Sequence, residues 1–275
     1  MIRDTTIGAK LWSAAVWVLT GFFILNVFGL MATVVLSSFS TRWLQSWLPA
    51  GLTPRWYVSA WNEFQLGSVL TTTFEIVFVV VLLSGLVGVP AAYALARRNF
   101  PGKKLVILLF LLPLLVPPMT IGIPLATVLY QLGLGGTFWG VVLANLVPSV
   151  PFVVVVMIPF IEQIDPKVEA AAQVFGANVF QLFRYVLVPM LLPGVLAALL
   201  LVLVRTIAMF ELTFLTAGPT SQTLVVALYY SVFAPGVRAV QSIDAMAVIY
   251  TVTTLVWLLI ALRFVNPTQI VGRAR

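Results

Sequence analysis

Six long apolar stretches dominate the chain and leave few architectures open to it. The predicted spans are residues 12–36, 68–96, 105–130, 138–161, 193–217 and 243–262. Each is about as long as the roughly 20 residues that a helix needs to cross a bilayer, and the runs lack the alternation of a barrel strand. Because lipid cannot satisfy backbone polar groups, such runs predict helices. We therefore predict an all-α fold: a polytopic bundle of about six transmembrane helices, forming one transmembrane domain over residues 1–275.

The composition agrees with an integral membrane protein. Hydrophobic residues make up 61% of it and charged residues only 8%, against about 25% charged in soluble domains. The net charge of +7 does not indicate nucleic acid binding, because the basic residues form no single patch. The absence of cysteine and histidine excludes disulfides and the usual zinc, haem and iron–sulfur ligand sets. We expect no metal or cofactor in this chain.

The basic residues predict the orientation of the spans, because positively charged loops resist translocation. With the N-terminus in the cytoplasm, eleven of the 15 basic residues lie inside: Arg3, Lys10, Arg97, Arg98, Lys103, Lys104, Lys167, Arg184, Arg263, Arg273 and Arg275. We predict a multi-pass protein of the bacterial inner membrane with both termini cytoplasmic. The first apolar run is too long for a signal peptide, and we interpret it as a retained helix. The apolar segment Leu224 to Ala234 is too short to be a seventh span.

Two regions outside the regular spans invite a functional interpretation. The outer loop from Ser37 to Gly67 is rich in tryptophan, which is typical of an interfacial helix; a docking surface for an external partner is the alternative. Prolines crowd the third and fourth spans, and a proline-broken helix in a membrane must be covered by protein or border a watery cavity. These two spans are therefore candidates for lining a path. The prolines are Pro113, Pro117, Pro118, Pro124, Pro148, Pro151 and Pro159.

The segment 162–192, between the fourth and fifth spans, is the most unusual connection. It is about thirty residues long, whereas helix connections in bundles usually have 2–8. Asp165 is a good N-cap and Pro166 a good first helical residue, so a short helix should follow and end near Phe175. Gly176 should stop or bend that helix. Its small alanines would let another surface approach closely.

A motif in this segment resembles a known one. A Glu-Ala-Ala sequence is followed by a glycine and, thirteen residues after the glycine, by the proline of an apolar-x-apolar-Pro pattern. This is similar to the coupling-helix signature of permease subunits of type I ATP-binding-cassette importers. In that family the glutamate stands six residues before the glycine, where this chain has Ala170. The residues that the resemblance assigns to ATPase coupling are Glu169, Ala170, Ala171, Gly176, Val186 and Pro189.

The resemblance extends over about Ser68 to Leu262 and carries further expectations. The segment Pro90–Lys104 looks like the small-residue helix end and basic turn of the same permeases, and the Gly218-Pro219 turn looks closest to their polyamine, phosphonate and opine branch. The family implies alternating access with four kinds of partner: a second, non-identical permease, two ATPase subunits, a periplasmic solute-binding protein and the bilayer. ATP and Mg²⁺ would be bound by the ATPases, since this chain has no GxxxxGK[ST] loop, and the chain would be a transporter subunit rather than an enzyme.

Three ionisable residues within the predicted spans are the candidates for a solute path: Glu75, Arg205 and Glu211. A charge at the bilayer centre costs about 2.5–3.5 kcal/mol, so such groups face the bundle interior or water. A carboxylate on the path favours a cationic solute and Arg205 an anionic one. The alternative is a structural role, including a pair between Glu75 and Arg205. The polar Asn145 and the segment Thr71 to Thr73 are interpreted as helix–helix hydrogen-bonding groups.

Two other functional classes remain open at this point. A stand-alone secondary carrier or channel would need no ATPase, but it leaves the coupling motif unexplained. A membrane enzyme without histidine or cysteine would need paired carboxylates or a lysine base. The only clustered carboxylates are Glu162, Asp165 and Glu169, which the coupling segment already accounts for.

Overall fold

The computed structural model describes residues 7–43, 46–236 and 238–264, and within them the secondary structure is helical. A π-helical turn, Leu182–Leu187, joins α8 to α9, so that Val179–Ile207 is one continuous helix. The all-α prediction is confirmed. The helices are α1 (Ile7–Phe39), α2 (Arg55–Glu63), α3 (Leu66–Arg97), α4 (Lys103–Leu115), α5 (Pro118–Gln131), α6 (Phe138–Glu162), α7 (Pro166–Val174), α8 (Val179–Gln181), α9 (Val188–Ile207), α10 (Glu211–Thr216), α11 (Leu224–Phe233) and α12 (Val240–Phe264).

Five of these helices are long and apolar enough to cross a membrane: α1, α3, α6, the helix Val179–Ile207 and α12. Helices α4 and α5, between which the chain bends by 100°, make a sixth crossing when the pair is counted as one span. The ten-residue α11 is too short to cross, as its sequence predicted. The count of about six spans is confirmed in the described residues, although two of the predicted spans differ in shape.

The third predicted span, 105–130, is broken rather than continuous. Helix α4 ends at Leu115, and Val116 and Pro117 have extended backbones with ψ angles of 136°. A proline disfavours helical conformation in the residue before it and cannot donate a backbone hydrogen bond, so the Pro117-Pro118 pair ends one helix and starts the next. In contrast, α6 remains continuous through its three prolines.

The broken segment crosses from one end of the bundle to the other. The Arg97 guanidinium, at the C-terminal end of α3, donates a hydrogen bond to the carbonyl of Ile164, just beyond α6. Helices α3 and α6 therefore run in the same direction, and the segment between them must return across. We call the end that carries Arg97 and Ile164 the basic end. It also holds Arg98, just after α3, and Lys103 and Lys104, the first two residues of α4.

The fifth predicted span, 193–217, is displaced toward the N-terminus. Its helix begins at Val179 and ends at Ile207, and the short α10 follows after residues 208–210. Most of the predicted loop 162–192 is therefore helical, because α7 occupies its first part and the continuous helix its second. The apolar composition across residues 208–210 conceals the break in the sequence.

Contacts group the chain into two compact units, where the sequence predicted one domain. One unit comprises Met1–Phe64 and Ser231–Ile249; the other comprises Gln65–Tyr230 and Tyr250–Arg275. In the first, the Ser37 hydroxyl donates to Asp244 at 2.5 Å, and Glu63 pairs with Arg238 at 3.5 Å. Trp47 of this unit is almost fully exposed, and its helix α2 is amphipathic.

The core of the second unit lies where α3, α6 and α9 pack together. Small residues allow the close approach, as at Gly88 of α3 beside Val153 of α6. The predicted structural polar groups lie in this unit too. The Asn145 amide donates to the Thr213 hydroxyl at 3.1 Å, and the Thr73 hydroxyl accepts from the Leu224 backbone N–H at 2.9 Å. The helix–helix interpretation of Asn145 and Thr73 is confirmed.

Candidate functional site

Helix α7 begins and ends as its sequence predicts. The Asp165 side chain accepts a hydrogen bond from the Lys167 N–H at 2.9 Å, and Pro166 is the first helical residue. At the other end Gly176 has a φ of +84°, and the N–H of Gly176 and of the next residue bond back to the carbonyls of Gln173 and Ala172. This pair of bonds is a Schellman motif, in which glycine occupies the left-handed position. The turn fixes the direction in which the chain leaves α7.

The chain re-enters a helix after only a few residues. Asn178 and Gln181 form a reciprocal capping box, with side chain to N–H distances of 2.9 Å. The predicted coupling residue Pro189 does not end a loop but lies within the continuous helix, just after the π-helical turn. In that turn the Val188 N–H bonds to the Phe183 carbonyl five residues back, and the wider turn adapts the helix to the missing proline N–H.

The Glu169 carboxylate faces the bundle and not the solvent. Its Oε1 lies 2.7 Å from Arg97 Nε, and both side chains are only 13% exposed. Its Oε2 accepts a hydrogen bond from the Tyr93 hydroxyl at 2.5 Å. Arg97 also donates to the Ile164 carbonyl at 2.7 Å. These contacts join the end of α3 to both ends of the turn between α6 and α7. We call the three residues that make them the latch: Tyr93, Arg97 and Glu169.

The outer side of the same segment is exposed and apolar. Four side chains, which we call the apolar patch, are largely exposed: Val174 (85% exposed), Phe175 (90%), Val179 (73%) and Phe180 (74%). Ala170, Ala171 and Gly176 are also exposed, whereas Val186 is half-buried. Burying large aromatic side chains is strongly favourable in water. On a surface in contact with water, an exposed patch of this kind is typical of a binding site for another molecule.

The three charged residues predicted for a solute path are not brought together. Glu75 is exposed on α3 and lines a groove whose other walls are apolar, including Leu203 and Trp257. Arg205 lies two residues beyond Leu203, about 200° further around the helix, and its guanidinium stands 5.4 Å from the centre of the Phe152 ring. Among the described residues the ion pairs within 4.0 Å are Arg97–Glu169 and Arg238–Glu63. The suggested Glu75–Arg205 pair is therefore wrong.

The position of Glu211 also differs from the prediction. It was placed six residues after Arg205 on one helix, but α9 ends at Ile207 and Glu211 begins α10. Its half-buried carboxylate lies in the first turn of a helix, where the helix dipole stabilises negative charge. The position of Glu211 is therefore explained by the structure of the chain, without contact to a solute. No group of three metal-binding side chains occurs in the part of the chain that the structure describes.

The sequence interpretation missed two latch residues. Arg97 was noted only for its effect on orientation, and Tyr93 was not singled out. Their spacing of four residues places both on one face of the end of α3. The signal that could have identified them is a tyrosine and an arginine at this spacing beside a loop with an unassigned glutamate. Tyr93 and Glu169 are nevertheless 76 positions apart in the sequence, so no local pattern predicts their contact.

Comparisons with known proteins agree with this architecture. The family described as "Binding-protein-dependent transport system inner membrane component" matches residues 84–268. The molybdenum transport system permease protein ModB of Haemophilus influenzae is 38% identical over 162 residues, which are 53% of this chain and 70% of that protein. The sulfate transport system permease protein CysT of Salmonella typhimurium is 32% identical over 166 residues, 56% of this chain and 60% of its own length.

A solved structure shares the fold over nearly the whole chain. It belongs to a bacterial ABC transporter involved in the import of the acidic polysaccharide alginate, and it superposes with a TM-score of 0.77 at 17% identity, covering 95% of this chain and 99% of that one. The fold of the chain is thus that of type I importer permeases. Because the family match covers most of the chain, including α7 and the apolar patch, the chain belongs to the family of inner membrane components of binding-protein-dependent transport systems.

Proposed function

We propose that the chain is the permease subunit of an ATP-binding-cassette importer, and that α7 with the apolar patch docks on a partner ATPase subunit. The observation that carries the proposal is the exposed patch at the basic end. Positively charged loops stay in the cytoplasm, so the patch faces the compartment that contains ATP. The Gly176 turn presents the patch beyond the end of α7. This chain would not hydrolyse ATP itself; the ATPase subunits would bind ATP and Mg²⁺.

The orientation and the remaining partners belong to the same proposal. Both termini lie in the cytoplasm of a bacterial cell whose inner membrane holds the chain; the terminal residues 1–6 and 265–275 lie outside the described residues. The family description supports a solute-binding protein on the opposite side. The second permease is a different chain, so that the assembly contains one copy of each permease and two ATPases. Mass spectrometry of the purified assembly would distinguish this from two identical permeases.

The solute is a small polar one, and Glu75 borders its path. An exposed carboxylate at membrane depth requires water or a polar partner beside it, and the groove around Glu75 offers no cation within 4.0 Å among the described residues. Arg205 and Glu211 are secondary candidates, because Arg205 has the Phe152 ring beside it and Glu211 lies in the first turn of α10. The relatives named above do not support the polyamine, phosphonate or opine branch: their names refer to molybdenum and sulfate.

The test is co-purification of an ATPase with defined surface variants. The chain is purified in mild detergent from its native host, and the associated proteins are identified by mass spectrometry. A double variant, Phe175→Asp with Phe180→Asp, removes the apolar character of the patch. The matched control is Leu132→Asp, since Leu132 is also an exposed apolar residue (67%) but follows α5 at the opposite end of the bundle.

We expect an ATPase with the unmodified chain and with Leu132→Asp, and its loss from the double variant at an equal level of membrane-inserted chain. Retention of the ATPase by the double variant would contradict the docking surface. Recovery of the unmodified chain alone or as a self-oligomer would contradict the importer and favour a stand-alone carrier or channel.

A further inference from the structure

We infer that Glu169 is a positioning residue, which through the latch makes α7 and the end of α3 move as one body. The inference rests on the proposed function, because it concerns how a displacement of the docked α7 reaches the spans. It assigns Glu169 a role within the chain and not at the ATPase surface.

Helix α7 has little else to hold it. None of its nine residues is fully buried, and only Ala172 packs against the core of the second unit. A helix of this length is not stable by itself in water. Polar contacts must therefore fix its orientation, and in the described residues those of Glu169 are the ones that join it to a membrane-spanning helix.

The latch restrains α7 at several points rather than one. Both carboxylate oxygens of Glu169 have a partner on α3, and Arg97 also binds the Ile164 carbonyl just before α7. The Tyr93 ring stands edge-on to Phe183 of the π-helical turn, with 4.8 Å between ring centres. The same two residues of α3 thus hold the chain before, within and after α7. Little freedom remains for α7 to tilt alone.

The burial of the latch makes its ion pair effective. At 13% exposure the pair is screened by salt much less than a surface pair. The hydrogen bonds from Arg97 to the Ile164 carbonyl and from Tyr93 to the Glu169 carboxylate each involve a charged group, and such bonds are stronger than neutral ones. Displacing α7 alone would leave Arg97 without its counter-ion in a poorly solvated place, which is costly. A force on α7 is instead passed to α3, which packs closely against α6 at Gly88.

The chain contains no cysteine, so two introduced cysteines are its only labelling sites, and it is spin-labelled before it is combined with its unlabelled partner subunits. Lys167→Cys on α7 and Leu86→Cys on α3 are suitable because both residues are exposed. The distance between the labels is measured by electron–electron double resonance in the complete assembly in lipid nanodiscs, with and without ATP and vanadate. The variants are Glu169→Gln, which removes the charge at constant size, and Tyr93→Phe, which removes one hydroxyl and keeps the ring. Glu162→Gln is the control, since Glu162 is exposed beyond the latch.

In the unmodified latch and in Glu162→Gln we expect a single narrow distance that ATP and vanadate do not shift. In Glu169→Gln the distribution should broaden, gain a second component and shift on addition of nucleotide, while the ATPase stays bound. Tyr93→Phe should show a smaller change of the same kind.

A narrow, nucleotide-independent distance in Glu169→Gln would overturn the inference. If that variant does not fold, Tyr93→Phe decides, because it leaves the packing on Phe183 intact. The proposed function is tested separately, because it is wrong if no ATPase co-purifies with the chain. In that case the distance between the labels in the nucleotide-free chain still tests whether the latch holds α7.

Discussion

Gly88 and Val153 bring α3 and α6 into direct contact: a Cβ atom on Gly88 would stand 2.7 Å from the Cβ of Val153. We expect Gly88→Ala to destabilise the chain by about 1–3 kcal/mol, because the two helices would have to separate or repack. The measurement is thermal unfolding in detergent. Val153→Ala should restore little of the loss in the double variant, because alanine keeps the Cβ atom that lies 2.7 Å away.

The control for this change is Gly29→Ala. Gly29 is also helical, but a Cβ atom at this position would have no neighbouring atom within 4 Å. The substitution should leave the unfolding temperature unchanged or raise it, because alanine favours helices more than glycine does. Equal effects of the two substitutions would mean that the contact between α3 and α6 does not limit stability.

Replacing Gly176 should impair coupling to the ATPase. Its φ of +84° costs a residue with a Cβ about 1–2 kcal/mol, although there is free space for a side chain. We expect Gly176→Leu to unwind the turn after α7 and to uncouple ATP hydrolysis from transport, with less ATPase recovered. Gly133→Leu is the matched control, because Gly133 has a φ of +72° and equally open surroundings at the opposite end. Normal hydrolysis and uptake in Gly176→Leu would contradict the prediction.

The buried bond between Asn145 and Thr213 should stabilise the bundle. Hydrogen bonds of this kind between membrane helices contribute about 0.6 kcal/mol on average, and Asn145→Leu should cost at least this much because it also leaves the Thr213 hydroxyl without that partner. Thr127→Val is the control, since the exposed Thr127 bonds only to its own helix. A double-mutant cycle with Thr213→Val measures the coupling; a coupling of zero would show that the contact carries no stability.

Labelling should show that α4 and α5 together cross the membrane. Lys103→Cys lies at the start of α4 and Leu132→Cys follows α5, and neither competes with a natural cysteine of this chain. We expect a membrane-impermeant maleimide to label Lys103→Cys only from the cytoplasm and Leu132→Cys only from outside. Labelling of both from one side would mean that the bent pair enters and leaves by the same face, and labelling of Lys103→Cys from outside would reverse the predicted orientation.

The sequence predicted the spans well where a single physical signal determines them. Continuous apolar runs located α3 and α6 within a few residues, and Asp165 with Gly176 located both ends of α7, because capping depends on local chemistry. The high number of prolines in the third predicted span indicated a break there, but α6 also contains three prolines and stays continuous. Whether a proline bends or breaks a helix depends on the packing around it, which a span's composition does not contain.

The candidate site was harder to predict, for a related reason. The motif around Glu169 identified the right segment, but the direction of its carboxylate depends on Tyr93 and Arg97, far away in the chain. Arg205 and Glu211 were assigned to one helix because residues 208–210 are as uniformly apolar as a span. Pairing and breaks of this kind are set by tertiary contacts, so they became visible only in the structure.

The bend between α4 and α5 has a consequence for synthesis of the protein. The two helices have 13 and 14 residues, about 20 Å each, and neither alone matches the roughly 30 Å of hydrocarbon. The bend lies where α6 and α10 come together with them, near Pro148 and Leu212. Both covering helices are translated later than the bend. If synthesis stopped before α6, the backbone N–H and C=O groups at the bend would face lipid without hydrogen-bond partners. The crossing formed by α4 and α5 therefore becomes stable only after α6 and α10 have been synthesised.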